Sequence, residues 1–230
     1  SADLAKLRQV LGMLTPGLVF ADDGGPYARA LAGAVPGDVE VVVDRNPPPG
    51  RPATLFADLA ATADTVAVDR ASAAVGPDTI GKFLFTSGST GTPKGVVNTQ
   101  RMICSNQQMF LQALPLIAEQ PPVVLSWLPW NHTSGGNQII GVVLYNAGTL
   151  YLDDGKPVPG EIEVTAANLR EVAPTMYFTV LRGFAELIPF LRRDDALREN
   201  FFSRLSMMYY SGAALPRAVA EELDRLAVQT

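Results

Sequence analysis

Residues 86–95 read TSGSTGTPKG and directly follow an apolar run that ends at Phe85. Five of these ten residues carry a hydroxyl group, three are glycine and one is lysine. Glycine lets the backbone turn tightly, so a loop that leaves the end of a strand can point amides and hydroxyls toward one centre. Such a concavity suits phosphate oxygens. The stretch therefore predicts a strand followed by a phosphate-binding loop.

Two further residues of this loop narrow the prediction. Lys94 adds a positive charge that can hold a β- or γ-phosphate, and Pro93 restricts the movement of that part of the loop. Together they favour a nucleotide triphosphate site. The Walker loop requires Gly-Lys-Ser/Thr and the dinucleotide fingerprint requires Gly-x-Gly-x-x-Gly, and neither pattern fits. A flexible polar turn is the alternative interpretation.

The chain from residue 83 onward alternates short apolar runs with longer periodic ones. This pattern is typical of an α/β fold in which helices flank a layered sheet. The clearest helix covers residues 99–114, where Met102, Met109 and Phe110 recur on one face and predict burial in the core. The predicted strands lie at residues 82–85, 123–128, 149–152, 175–179 and 207–210.

The first third of the chain shows weaker patterns of the same kind. Residues 45–51, RNPPPGR, cannot form regular structure because successive prolines remove backbone donors, so they predict a surface loop or a subdomain connection. No segment repeats, and the order of elements predicts one continuous α/β unit over residues 1–230. The predicted helices are residues 4–14, 26–32 and 52–61, and the predicted strands are residues 17–21 and 39–43.

Composition argues against several classes of protein. The net charge of -5 and the pI near 4.9 leave no excess of basic residues for nucleic acid. Cys104 is the only cysteine, which excludes an internal disulfide and a thiolate metal cluster. The longest apolar run, residues 139–145, is too short to span a membrane. We therefore expect a protein of the reducing cytoplasm. Because the chain opens at Ser1, we also expect it to be an excised piece.

The second informative stretch is LSWLPWNHTSGGN, residues 125–137, where an apolar run gives way to Trp130 and His132. His132 is the only histidine, so a multi-histidine metal site is excluded, and no Gly-x-Ser-x-Gly elbow accompanies it. Packing and function are equally open for this residue on these grounds. We expect Ser134, Gly135 and Gly136 to cap a helix at residues 138–146.

The third stretch is MMYYSGAALP, residues 207–216, in which a predicted strand ends in small residues before a helix that begins near Pro216. Small residues permit the close approach of a flat ligand, although an ordinary α/β connection reads the same way. Asp153, Asp154 and Lys156 suggest a metal site, but two adjacent carboxylates in a turn are usually solvated, and we expect that here. The small residues are Ser211, Gly212, Ala213 and Ala214.

These three stretches resemble the motifs of the adenylate-forming superfamily, which contains acyl-CoA synthetases, luciferases and peptide-synthetase adenylation domains. The resemblance implies that residues 1–230 are part of the large N-terminal adenylation domain. It implies that a substrate carboxylate attacks the α-phosphate of ATP, with Mg²⁺, and that coenzyme A then captures the acyl group. The phosphate-loop signature is matched by Thr86, Ser87, Gly88, Ser89, Thr90, Gly91, Thr92, Pro93, Lys94 and Gly95.

The resemblance also implies roles for single residues. Lys94 and its loop would steady the departing pyrophosphate, which needs charge neutralisation more than a nucleophile. His132 would position the carboxylate, and Trp130 would line the acyl pocket. A carboxylate needs no deprotonation near neutral pH, so no general base is required. The turn at residues 211–214 would lie between the acyl pocket and the adenine.

Three further segments, LPWNHT, LDDGKP and FFSRL, look most like feruloyl-CoA synthetases, which act on hydroxycinnamates such as ferulate. A fatty acyl-CoA ligase and a non-catalytic nucleotide-binding module remain as alternatives, and a homodimer is left open. The later family motifs that hold magnesium and ribose and supply the C-terminal lysine are absent from the sequence. We therefore expect the 230-residue chain by itself to be catalytically inactive.

Overall fold

The computed structural model describes residues 4–86 and 93–230. The chain divides into two compact units. Unit 1 comprises Ser1–Gly76 and Phe85–Gly95, and unit 2 comprises Pro77–Leu84 and Val96–Thr230. Residues 45–51, where the sequence suggests a connection between subdomains, lie within unit 1.

Unit 1 is built around a parallel sheet of β1 (Leu18–Asp23), β2 (Glu40–Arg45) and β3 (Thr54–Leu55), in that order. The central strand β2 buries Val41, Val42 and Val43, and the first and last of these pack with Leu31 in the core of the unit. Arg51 donates to four backbone carbonyls in the last turn of α2 (Gly24–Ala34) and in the segment before β2, which fixes the proline-rich loop to that connection. The elements are α1 (Ala5–Leu14), β1 (Leu18–Asp23), α2 (Gly24–Ala34), β2 (Glu40–Arg45), β3 (Thr54–Leu55), α3 (Phe56–Ala60) and α4 (Val66–Ala73).

The strands β4 (Ile80–Thr86) and β5 (Lys94–Thr99) pair with each other. Each of these two strands has residues in both units. The later strands, all in unit 2, form two parallel pairs, β6 (Val123–Ser126) with β7 (Thr149–Leu152) and β8 (Met176–Val180) with β9 (Met207–Ser211). The elements after β5 are α5 (Gln100–Ala113), α6 (Leu116–Glu119), β6 (Val123–Ser126), a π-helical segment (Ser134–Ile139), α7 (Ile140–Tyr145), β7 (Thr149–Leu152), α8 (Ile162–Glu171), β8 (Met176–Val180), α9 (Leu181–Arg193), α10 (Asp195–Phe202), β9 (Met207–Ser211) and α11 (Arg217–Val228).

Hydrogen bonds show that β6 and β8 lie side by side and run in the same direction. At their starts, the Thr175 amide donates to the Val123 carbonyl (2.9 Å) and the Val123 amide donates to Thr175 Oγ1 (2.9 Å). At their ends, Trp127 Nε1 donates to Thr179 Oγ1 (3.4 Å). Because β7 and β9 are parallel to these strands, the carboxyl ends of all four point to one edge, which is where α/β proteins bind ligands.

The core of unit 2 is formed by the helices that cover these strands. On α9 the residues Phe184, Leu187, Ile188 and Leu191 follow the helical period and are buried. Tyr177 of β8 lies edge-on to Phe184, with ring centroids 5.8 Å apart. Helices therefore flank parallel strands as the sequence predicts, and the α/β fold class is confirmed. No helix of the described residues is both long and apolar enough to cross a membrane.

Several element predictions needed correction. Residues 52–61 do not form one helix, because β3 occupies Thr54–Leu55 and only Phe56–Ala60 is helical. The strand β5 was not predicted. On α5, whose bounds agree with the prediction, Met102 and Met109 are 58% and 63% exposed, whereas the buried residue is Gln107. The helical period of this segment thus identified a helix but not its buried face.

Candidate functional site

The predicted phosphate loop joins β4 to β5. The structure describes Thr86, Lys94 and Gly95 of the predicted phosphate-binding residues. Thr86 is the exposed last residue of β4 and Lys94 the exposed first residue of β5. Lys94 has no ion-pair partner among the described residues, so its ammonium is accessible to an anion at the strand end. The other predicted phosphate-binding residues lie outside the described part, namely Ser87, Gly88, Ser89, Thr90, Gly91 and Thr92.

The second predicted motif is a turn that follows β6. It is closed by two backbone hydrogen bonds, from the His132 amide to the Pro129 carbonyl (3.1 Å) and from the Gly136 amide to the His132 carbonyl (2.8 Å). Trp130 is 55% exposed at the tip of this turn, and His132 is exposed beside it. The structure thus brings the two predicted substrate-binding residues together on one surface loop.

The residues after His132 do not cap a helix, and the capping prediction is wrong. Ser134, Gly135 and Gly136 lie inside the π-helical segment, whose start has no side-chain cap. The glycines are required by close packing instead. A Cβ on Gly135 would lie 2.3 Å from the Pro129 carbonyl oxygen, and one on Gly136 would lie 2.1 Å from the Trp130 carbonyl oxygen. A π-helical turn of this kind often occurs at functional sites.

The orientation of the His132 ring follows from its contacts with Ser134. The Ser134 backbone amide, which can only donate, points to His132 Nδ1 at 3.2 Å, and Ser134 Oγ lies 2.9 Å from the same nitrogen. Nδ1 is therefore the acceptor, and the neutral ring carries its hydrogen on Nε2. His132 Nε2 is accordingly a donor on the side of the ring opposite Ser134, which suits a carboxylate oxygen.

The third predicted motif follows β9. Ser211, Gly212, Ala213 and Ala214 are all exposed, and Gly212 has a φ of 100° that turns the chain toward α11. This turn and the turn that carries His132 follow strands whose carboxyl ends point the same way, because β8, the partner of β9, lies beside β6. The structure therefore supports a shared location for these two motifs.

Comparison with known proteins identifies the family to which this chain belongs. The sequence model of one family, described as AMP-binding enzyme, matches residues 4–229. The chain belongs to the AMP-binding enzyme family. The resemblance stated from the sequence is confirmed at this level, whereas the narrower likeness to feruloyl-CoA synthetases stays a prediction.

Individual relatives agree with this assignment. Long-chain-fatty-acid–CoA ligase 5 of Rattus norvegicus is 32% identical over 110 residues, which cover 46% of this chain and 15% of the relative. A second relative, from Rhodococcus jostii, is named as a CoA ligase for a propanoyl group that carries a bicyclic dioxo-octahydroindenyl ring. It is 28% identical over 176 residues, which cover 74% of this chain and 32% of the relative. The chain thus spans at most about a third of these curated relatives.

A solved structure shows the same fold. The benzoate CoA ligase from Burkholderia xenovorans LB400 superimposes with a TM-score of 0.71 at 22% identity, covering 97% of this chain and 41% of that protein. Together with the family match, this likeness confirms the predicted fold, the α/β architecture of the N-terminal domain of adenylate-forming enzymes.

Sequence reasoning missed one charged residue beside the turn that carries His132. Lys82 lies on β4, and its Nζ donates to the Gly136 carbonyl at 2.8 Å. Burial lowers the pKa of the Lys82 ammonium from its ordinary value. The bond ties β4 to the π-helical segment, and so helps to position the turn that carries His132. The signal in the sequence was a lone lysine within an apolar strand.

The prediction that Asp153 is solvated is wrong. Its side chain is 8% exposed and accepts hydrogen bonds from the Gly155 amide (2.9 Å), Thr165 Oγ1 (2.6 Å) and Asn168 Nδ2 (2.9 Å). Burial raises the pKa of the nearby Tyr177 hydroxyl, and the negative charge of Asp153 adds to that shift. Asp153 thus joins the end of β7 to α8, whereas Asp154 is exposed as expected.

Proposed function

We propose that the protein containing this chain is an ATP-dependent, AMP-forming acyl-CoA ligase. The observation that carries the proposal is the family match over residues 4–229, which includes Lys94 at the start of β5. The relatives named above, which are CoA ligases for fatty and cyclic acids, support the reaction class. The proposal concerns the full-length protein, because the chain spans only part of each relative.

In the proposed reaction the carboxylate of the substrate attacks the α-phosphate of ATP. An acyl-adenylate forms and pyrophosphate leaves. The thiol of coenzyme A then attacks the acyl carbonyl, and AMP departs. Lys94 and the loop that precedes it would stabilise the charge that develops on the departing pyrophosphate.

The second and third motifs would hold the acid. His132 Nε2 would donate a hydrogen bond to a carboxylate oxygen and so orient the carboxylate for attack. The acid is already ionised near neutral pH, so the protein has no proton to remove. Trp130 would form part of the pocket wall, and the exposed backbone of residues 211–214 would leave room for a flat group. His132 is thus a positioning group for the carboxylate in this proposal.

Magnesium would enter with the nucleotide. Among the described residues no group of three or more His, Cys, Asp or Glu side chains could hold a metal ion. Mg²⁺ in nucleotide sites is held largely by phosphate oxygens and water, with one or two carboxylates. The ion would add positive charge at the phosphates, and it is assigned no other role.

The proposed substrate is a hydroxycinnamate such as ferulate, on the resemblance of residues 128–133, 152–157 and 201–205 noted above. A fatty acid is the second candidate, because several relatives are named as fatty-acid–CoA ligases. The two candidates differ in length and flatness. Pyrophosphate release by the full-length protein with ferulate, benzoate and palmitate would separate them.

Lys94→Ala tests the proposed role of the phosphate loop. Loss of one group that stabilises transition-state charge typically lowers kcat about 100-fold to 1,000-fold, and we expect adenylation to fall by that order. Lys6→Ala is the matched control, because Lys6 is an exposed lysine on α1. Unchanged pyrophosphate release in Lys94→Ala would contradict this role. ATP binding without pyrophosphate release in the wild type would favour a non-catalytic nucleotide-binding module.

A further inference from the structure

Two side chains tie the π-helical segment Ser134–Ile139 to the strands on either side of the phosphate loop. Lys82 Nζ, on β4, donates to the Gly136 carbonyl at 2.8 Å. Asn98 Oδ1, on β5, accepts from Asn137 Nδ2 at 2.9 Å. β4 leads into the phosphate loop, β5 leads out of it, and the two strands pair with each other. Consecutive residues of the segment are therefore held by both strands, and all four bonded residues belong to unit 2.

The direction of the second bond follows from its neighbours. Asn98 Nδ2 donates to the Val96 carbonyl at 3.0 Å, and a carbonyl can only accept, so Asn98 presents Oδ1 to Asn137 as the acceptor. The backbone carbonyl of Asn137 accepts from Gln107 Nε2 of α5 at 3.0 Å. A third element therefore holds the same residue of the segment.

These bonds also hold the turn that carries His132. The Gly136 amide donates to the His132 carbonyl at 2.8 Å and the Gly136 carbonyl accepts from Lys82, so Gly136 connects the histidine to β4. A Cβ on Gly136 would lie 2.1 Å from the Trp130 carbonyl oxygen, so the turn packs closely on the segment. A π-helical turn is a rare conformation, and no described side chain caps the start of this one. Contacts from other elements therefore fix its position.

The Lys82 ammonium is half-buried, and it has no ion-pair partner among residues 4–86 and 93–230. Burial lowers the pKa of this ammonium from its ordinary value. A charge that is partly removed from water costs free energy unless a hydrogen bond compensates, and here the Gly136 carbonyl does so. A hydrogen bond from a charged donor is also stronger than one between neutral groups. Lys82 therefore holds the segment more firmly than a neutral donor would.

The same two strands carry described residues of the phosphate loop. Thr86 comes four residues after Lys82 on β4, and Lys94 comes four residues before Asn98 on β5. Four residues of a strand span roughly 13 Å. Groups that are supported by strands and helices are positioned more precisely than groups on loops alone. The turn that carries His132 is therefore attached to both strands close to the ends that form the phosphate loop.

We propose that Lys82 and Asn98 are positioning residues for the adenylation step. They hold His132, and through it the substrate carboxylate, in a fixed place relative to the strands that carry the phosphate loop. This inference deepens the proposed function and rests on it. Neither side chain touches the reacting atoms, and each acts through the π-helical segment.

The chemistry of the step explains why such alignment matters. A carboxylate oxygen forms a bond to the α-phosphorus while the bond from that phosphorus to the pyrophosphate oxygen breaks. The reacting atoms must approach to about 3–3.5 Å in the right direction, and a displacement of about 1 Å can lower the rate about 100-fold. A side chain that only holds the carboxylate-binding turn in place can therefore have a large effect on kcat.

Lys82→Met removes the donor and keeps the length of the side chain. The full-length protein is assayed for pyrophosphate release with its best acid among ferulate, benzoate and palmitate. We expect kcat to fall about 10-fold to 100-fold, because the carboxylate is misplaced, and KM for ATP to change less than about threefold. Lys6→Met is the matched control, since Lys6 is an exposed lysine on α1, and it keeps the wild-type kcat.

A double-mutant cycle with His132→Ala tests whether Lys82 acts through the histidine. We expect Lys82→Met to lower kcat/KM about tenfold or more in the wild type but less than about twofold in the His132→Ala background, because the group that Lys82 aligns is already lost. A mere loss of folded protein would lower kcat/KM by the same factor in both backgrounds. The cycle therefore separates positioning from stability.

Asn98→Leu repeats the cycle from the other strand, because it removes the acceptor of Asn137 Nδ2 at similar volume. We expect the same dependence on His132 with a smaller fall in kcat/KM, because this bond joins two neutral groups. Circular dichroism checks that each variant folds. Asn98→Leu keeps the test decisive if Lys82→Met does not fold.

The outcomes separate the two proposals. In an active wild type, a fall in kcat/KM by the same factor with and without His132, for either variant, overturns the positioning role and leaves the ligase proposal standing. So does a wild-type kcat in Lys82→Met. Absence of pyrophosphate release with every acid overturns the ligase proposal and the positioning role with it.

Discussion

Two buried polar clusters in unit 2 differ in how many of their atoms are paired. The Asp153 carboxylate accepts hydrogen bonds from the Gly155 amide and from the side chains of Thr165 and Asn168. In and next to the π-helical segment, three buried atoms, Gln107 Oε1, Asn137 Oδ1 and Gln138 Nε2, have no hydrogen-bond partner among the described residues. A fully paired cluster stabilises the fold, whereas an incompletely paired one costs stability. The two clusters are therefore expected to contribute very differently to the stability of unit 2.

The largest expected effect is that of Asp153→Ala. The substitution leaves three donors without their acceptor, and each unpaired buried group costs about 1–3 kcal/mol. We expect the free energy of unfolding of the chain to fall by about 3–5 kcal/mol, because such costs are not fully additive. Urea unfolding followed by the fluorescence of Trp127 and Trp130 measures it.

Asp154→Ala is the matched control for that measurement, because Asp154 is the exposed neighbour of Asp153. Surface substitutions usually change the free energy of unfolding by less than about 0.5 kcal/mol. Equal effects of the two substitutions would show that the paired cluster does not stabilise the fold.

A pair of glycines probes the two clusters at the next level of effect. A Cβ on Gly155 would lie 2.6 Å from the Thr165 backbone nitrogen, which cannot move without moving α8. The three atoms nearest to a Cβ on Gly141 would all belong to the Gln107 amide, which is the end of a side chain and not backbone. We expect Gly155→Ala to cost about 1–3 kcal/mol and Gly141→Ala to cost less, since alanine also favours a helix. Thermal unfolding of both variants tests the order, and a reversed order would break the comparison.

Glu222 is a third paired group of unit 2, and its pairing makes the stability of the fold depend on pH. Hydrogen bonds from Arg225 and then Arg192 lower the pKa of Glu222 from 4.5 to about 2. A carboxyl whose pKa is lower in the folded state stabilises the fold above its unfolded pKa, and this stabilisation is lost as the pH falls from about 4.5 to about 2. Glu222→Gln should therefore flatten the loss of stability in that range. Urea unfolding at neutral and acid pH checks it, and an unchanged pH dependence would contradict the pairing.

The smallest expected effect is that of Gln138→Met on stability. The substitution removes an atom that has no partner among the described residues, so no hydrogen bond is lost at Nε2. Replacing an unpaired polar group by an apolar one of similar shape is nearly neutral, and we expect a change within about 0.5 kcal/mol. A loss as large as that of Asp153→Ala, in the same urea experiment, would mean that Gln138 stabilises the fold as Asp153 does.

Local patterns explain which elements the sequence predicted well. The helix Gln100–Ala113 and the strand Thr149–Leu152 agree closely with their predicted bounds, because a helical period or a short apolar run is visible within the segment itself. The strand Lys94–Thr99 was missed because a lysine, a glycine and an asparagine weaken its strand pattern. The segment forms a strand because it pairs with β4, and that pairing cannot be read from the segment alone.

The three motifs, their order and the α/β class could be predicted from the sequence, because each depends on residues close together along the chain. The hydrogen bonds from Lys82 to Gly136, 54 residues away, and from Gln107 to Asn137, 30 residues away, are visible only in the folded chain. The same is true of the burial of Asp153 and the exposure of Asp154. Pairing and burial depend on which distant segments the fold brings together, and no local pattern of residue types contains that information.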